Sequence, residues 1–185
     1  MGENYLTCAK LSVIIVLSMN DKNKSGENNM ARKFRLGSFG TVISGTMRSQ
    51  DVIPALTWEL RHLGHRSTKL TLIEKRYEKA IEGEFGEDDE YFTSETAMYD
   101  LENLFDMMQE HAPEFAYFGA NEGDGSDYGF WISSNFAYEF DGLKVEDTSK
   151  IPSNYVGEVL HVNDHGNMTL YFKSARKLKE IWAVV

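Results

Sequence analysis

The stretch SETAMYDLENLFDMMQEHAP, residues Ser94–Pro113, decides the fold reading, because no other part of the chain carries so clear a helical signature. Ser94 stands where a side-chain oxygen accepts from the free amides of a first turn. Ala97, Leu101, Leu104, Phe105 and Met108 then recur at three- and four-residue spacing, which makes one apolar helix face. Pro113 follows, and proline cannot continue a helix. Working back from it, Leu70, Ile73, Tyr77 and Ile81 predict a second helix over about Ser67–Glu82. Val52, Leu56, Leu60 and Leu63 predict another, capped by Ser49 or Asp51, with Pro54 in its first turn and Gly64 as its stop. Before these helices, Phe34, Leu36, Phe39, Val42 and Ile43 among three glycines read as strand.

Working forward, the period changes. Phe115–Phe118 and Tyr128–Ile132 are short, aromatic and strand-like, on either side of the glycine-rich Gly119–Asp127. Strands follow at Glu158-VLHV, Met168-TLYF and Glu180-IWAVV, and Asn163–Asn167 supplies hairpin-turn residues. The reading is α+β: about three helices packed on one face of an antiparallel sheet, with a C-terminal β-meander. With 185 residues, the length suits one domain, expected over residues 30–185.

Residues 1–29 read as a disordered or non-native leader. Leu11–Leu17 is apolar but lacks the small-residue cleavage pattern of a signal peptide, and the polar Asn20–Asn29 follows, so Met30 is the expected start. Cys8 is the only cysteine, which excludes an internal disulfide and a thiolate metal cluster. A reducing host cytoplasm is the expected location.

Charge is segregated. The formal net charge is −10, yet residues 81–142 hold 17 acids and no lysine or arginine, together with 14 aromatic residues. A net negative chain is repelled by bare nucleic acid and by anionic membranes, so neither is an expected direct partner. One reading of the acidic stretch is a solvated face that keeps the protein soluble. The other is a one-sign surface that steers a basic protein partner, with carboxylates standing in for nucleic-acid phosphates and aromatic rings as anchors. On that second reading the partner-binding residues are Glu87, Asp88, Asp89, Glu90, Asp124, Asp127, Tyr128 and Trp131.

Motifs for chemistry are weaker. Asp124-Gly-Ser-Asp127 begins like a calcium loop, but Tyr128 takes the third alternating position and Asn135 the twelfth, so the pattern fails. His161, Asp164 and His165 suggest a small metal-dependent hydrolase as the alternative function, without a further ligand indicated by spacing. His62, His65 and His111 fall near helix ends and read as caps that favour the helix dipole. No nucleophile elbow, phosphate loop or dinucleotide fingerprint is present, so neither a cofactor nor enzymatic activity is expected.

Three segments taken together, GTVISGTMRSQDVIPALTWEL (Gly40–Leu60), YFGANEGDGSDYGFW (Tyr117–Trp131) and EVLHVNDHGNMTLY (Glu158–Tyr171), resemble a family of uncharacterised small acidic proteins carried by phages and other mobile elements. The resemblance spans about residues 30–185 and carries no catalytic residues. It implies company with inhibitors of host defence. The expected function is therefore stoichiometric inhibition of a host defence nuclease, anti-CRISPR-like, by analogy. A non-defence interaction domain is the plainer alternative.

Overall fold

The computed structural model describes residues 36–185. The expected leader, with Cys8 and Met30, lies outside the described residues. Within them the elements run β1 (Gly40–Ile43), α1 (Ser49–His62), α2 (Thr68–Glu82), α3 (Glu95–Gln109), β2 (Tyr117–Asn121), β3 (Asp124–Trp131), a single turn α4 (Phe136–Glu139), β4 (Leu143–Val145), β5 (Gly157–Val162), β6 (Met168–Lys173) and β7 (Leu178–Val184). The fold is α+β.

Ser94 caps α3 by accepting from the Ala97 amide, and Ser67 caps α2 by accepting from Leu70. Helix α1 starts earlier than its sequence suggested. Arg48 takes the cap position without a side-chain bond, Pro54 falls in the second turn, and the Asp51 carboxylate accepts from Thr46 Oγ1 (2.5 Å) and Arg48 Nε (2.8 Å). Gly64, at φ 85°, ends the helix in a conformation that a side chain would strain. On α2 the inward residue near the C-terminus is Ala80, and Ile81 faces solvent at 42% exposure.

The strands form two sheets. The first has the order β1-β3-β2 and is antiparallel, with Phe130 of β3 between Gly40 of β1 and Phe118 of β2. The glycine-rich stretch is mostly strand, not loop: only Glu122 and Gly123 separate β2 from β3. Gly129 is compelled by this pairing, since a Cβ there would lie 2.2 Å from the Gly40 carbonyl oxygen. The helices bury Ile53, Leu56, Leu60, Leu70, Ile73, Leu104 and Met108 in one cluster with Phe118 and Phe130 of this sheet. Each such side chain withdrawn from water stabilises by roughly 1.5–3 kcal/mol before conformational entropy is set against it.

The C-terminal meander β5-β6-β7 forms as expected but belongs to a second sheet, of order β4-β5-β6-β7. It is mixed, because β4 pairs parallel to β5, and residues 146–156 make the crossover. The register sets Leu160 opposite Leu170 and Leu170 opposite Trp182. These three close on Phe136 of α4 and on Phe140, which follows it, as a separate, smaller core. The Trp182 indole N–H donates to the Glu114 carbonyl (2.8 Å), which ties the second sheet to the end of the helical half. Beside it Phe115 adopts φ 63° and sets its ring 5.3 Å from that of Phe136.

Candidate protein-interaction surface

The acidic run lies on the connector between α2 and α3, and the local chemistry gives that connector a defined shape. Gly83 ends α2, and Gly86, at φ 53°, reverses the chain into two short 3-10 turns, Gly86–Asp88 and Glu90–Thr93. The Asp89 carboxylate caps the second turn by accepting from the Tyr91 amide (2.9 Å). Phe92 is buried in the helical core and anchors the segment from below. A polar knot fixes it further: Arg76 donates to both oxygens of the buried Asp100 (2.7 and 2.5 Å), and the Tyr91 hydroxyl donates to Asp100 Oδ2 (2.9 Å). Burial, then the Asp100 charge, raises the Tyr91 pKa, so that hydroxyl stays protonated.

Glu87, Asp88 and Glu90 are left exposed on this pinned connector, whereas Asp89 is half-buried by its capping role. Phe85, directly before them, is 65% exposed. Arg48 is close enough for Glu87 and Asp88 to help raise its pKa, but the larger cause is its hydrogen bond to Asp51. Among the described ion pairs, none engages Glu87, Asp88, Asp89 or Glu90. Met98 and Tyr99 on α3 add a further exposed apolar pair. Sequence reasoning missed Phe85, Met98 and Tyr99 as surface anchors. The signal was there: Met98 and Tyr99 fall between the stripe positions Ala97 and Leu101.

The other four expected residues lie on the β2–β3 hairpin. Asp124 is exposed and accepts from the Ser126 amide (2.9 Å) and hydroxyl (2.8 Å), which lowers its pKa. Asp127 is half-buried, and its Oδ1 lacks a hydrogen-bond partner among the described residues. Tyr128 and Trp131 are not free rings. Tyr128 packs edge-on against Phe105 of α3 at 5.3 Å, and the half-buried Trp131 donates its indole N–H to the Gly119 carbonyl (3.0 Å). Tyr128 holds the sheet to α3 and Trp131 ties β3 to β2, so their removal tests folding before it tests binding.

The hydrolase residues do not converge. His161 sits in β5 with Nε2 3.1 Å from the Glu146 carbonyl, while Asp164 and His165 are exposed in the β5–β6 turn, where Asn163 Oδ1 accepts from the His165 amide. Among the described residues no group of three or more His, Cys, Asp or Glu is arranged to hold a metal ion. Of the histidines read as caps, His62 lies in the last turn of α1, as expected, and stacks on the exposed Trp58 (5.5 Å between centroids), whereas His65 and His111 are buried, with His65 Nδ1 3.1 Å from His111 Nε2. Burial pushes the His65 pKa down, with the nearby Glu110 carboxylate opposing that shift.

Among the described residues no helix is long and apolar enough to cross a membrane. Comparisons of the chain with models of protein families, with curated proteins and with solved structures each find no match.

Proposed function

We propose that the protein acts by stoichiometric binding to a basic protein surface, and that this partner is a nuclease of host defence whose nucleic-acid groove the carboxylates occupy, in the manner of an anti-CRISPR inhibitor. One observation carries the binding reading: Glu87, Asp88 and Glu90 project beside an exposed Phe85 from a connector pinned by Asp89, Phe92 and the Asp100 knot. Charges on a pre-shaped segment lose little conformational entropy on docking, and an apolar ring beside them contributes burial that charge alone does not. The nuclease assignment rests on phosphate mimicry and on the resemblance to mobile-element proteins.

The test uses the full chain and the variant Glu87→Lys/Asp88→Lys/Glu90→Lys, which leaves the Asp89 cap in place. A nuclease captured from host lysate at moderate salt is assayed for cleavage against increasing amounts of each. Cleavage should fall linearly with added wild type to an equivalence point, and the variant should need at least about tenfold more. A variant that keeps its circular dichroism spectrum and inhibits equally would sink the assignment of this surface.

A further inference from the structure

Helices α2 and α3 lie side by side and antiparallel. Ser67 Oγ is 3.6 Å from Met107 Sδ, Lys69 Nζ donates to Asn103 Oδ1 (2.9 Å), and Arg76 pairs with Asp100. Leu70, Ile73 and Ala80 of α2 and Ala97, Leu104 and Met108 of α3 turn to the core. Helical periodicity puts Thr68, Leu72, Lys75, Lys79 and Glu82 on the outer row of α2, and Glu95, Tyr99, Glu102 and Asp106 on that of α3. One row thus carries Lys75 and Lys79, with Glu82 at its end, and its neighbour is acidic. Leu72 and Tyr99 are 48% and 63% exposed on the same face.

We infer that this face docks a second copy of the chain, with the two-fold axis parallel to the helices. Such an axis lays α2 of one copy against α3 of the other and keeps every residue at its own level along the axis. The bonds within one chain therefore set the register. Since Arg76 is level with Asp100, Lys79 comes near the partner's Glu95 and Lys75 near the partner's Glu102. Tyr99 falls between these pairs, Leu72 lies about one turn beyond Lys75, and both are covered. A two-fold axis across the helices would instead oppose lysine to lysine and glutamate to glutamate. A uniformly basic partner would likewise meet Lys75 and Lys79 as like charges, so the pattern complements itself better than it complements a single-sign surface.

Two 15-residue helices present a face of about 22 Å by 20 Å, or about 450 Å² per copy, below the ~800 Å² of a standard interface. Self-association is accordingly weak, concentration-dependent and sensitive to salt. Glu87–Glu90 lie on the connector outside the two helix rows, so this inference stands apart from the proposed function, and either can fail alone.

Sedimentation velocity on the full chain at low ionic strength tests it. The wild type should pass from monomer to dimer across a concentration series, and the dimer should dissociate at about 1 M salt. Lys75→Glu/Lys79→Glu and Glu95→Lys/Glu102→Lys should each dimerise at least tenfold more weakly, and an equimolar mixture of the two should form a heterodimer. Tyr99→Ala, which changes no charge at an exposed position, should also weaken the dimer while leaving thermal stability unchanged. A wild type that stays monomeric at every concentration overturns the inference. So does a dimer indifferent to both reversals and to Tyr99→Ala, or a mixture of folded reversal variants that does not recover association.

Discussion

The helical half and the C-terminal sheet are stabilised on different scales. The helices and the β1-β3-β2 sheet share a large cluster of buried side chains, with Ile53, Leu56, Leu104 and Met108 fully inaccessible. The second sheet closes on a cluster of five buried side chains: Leu160, Leu170 and Trp182 from its strands, Phe136 of α4, and Phe140 just beyond it. Net charge divides the same way. Residues 36–135 carry 19 acids and seven lysines and arginines, whereas residues 136–185 carry seven acids and six bases. A deep core tolerates the self-repulsion of a strongly acidic surface. A shallow one does not have that reserve, and its surface is balanced.

The largest expected effect breaks the first half. Leu104→Ala removes a fully buried side chain and should cost about 2–5 kcal/mol in a denaturant titration. Leu170→Ala, also fully buried, asks whether the halves are coupled through Trp182 and Glu114. A single shared transition for both variants means one cooperative unit. A second transition seen only for Leu170→Ala means that the sheet opens by itself. Next, Asp100→Asn leaves Arg76 without its charge partner. Because Arg76 is partly exposed, about 2–3 kcal/mol is expected, below the ~3–5 of a fully enclosed pair.

A pH effect is smaller. The folded-state pKa of His65 is held below its ordinary value by burial, so the unfolded chain takes up that proton first. The resulting stability is fully present above about 6.5 and is lost as pH falls below it. Melting temperature should therefore drop between about pH 7.5 and about pH 5.5, and His65→Gln should reduce that slope. Arg61, Arg66 and His111 work with burial, and Glu110 against it. The smallest effect on the fold is that of Glu87→Lys/Asp88→Lys/Glu90→Lys, within about 0.5 kcal/mol by thermal melting, since these side chains are exposed.

The three long helices were legible because the helical period, the Ser67 and Ser94 caps and the Gly64 stop agree locally. The division into two sheets was not. Phe118 and Phe130 have the same aromatic, alternating look as Leu160 and Leu170, and nothing in a strand's own residues names the partner it will pair with. Strand β4 is only three residues, Leu143–Val145, too short for a period. At the candidate surface, the connector acids were visible as an uninterrupted run. The fate of Tyr128 and Trp131 was not, because a ring beside an acidic loop looks the same in sequence whether it meets solvent or Phe105. Asp100 escaped notice for a similar reason: buried and surface carboxylates differ only in what folds over them.

The tie between Trp182 and Glu114 also gives the molecule its own optical reporter. The three indoles occupy three solvent regimes: Trp58 is 67% exposed over His62, Trp131 is half-buried in the first sheet, and Trp182 is 6% exposed at the junction of the halves. An indole emits at longer wavelength once water reaches it, so the blue edge of the spectrum comes from Trp182. Peeling of the second sheet away from the helices would dim that edge before far-ultraviolet dichroism registers any loss of helix. Trp58, stacked on His62 within α1, reads a different coordinate in the same spectrum.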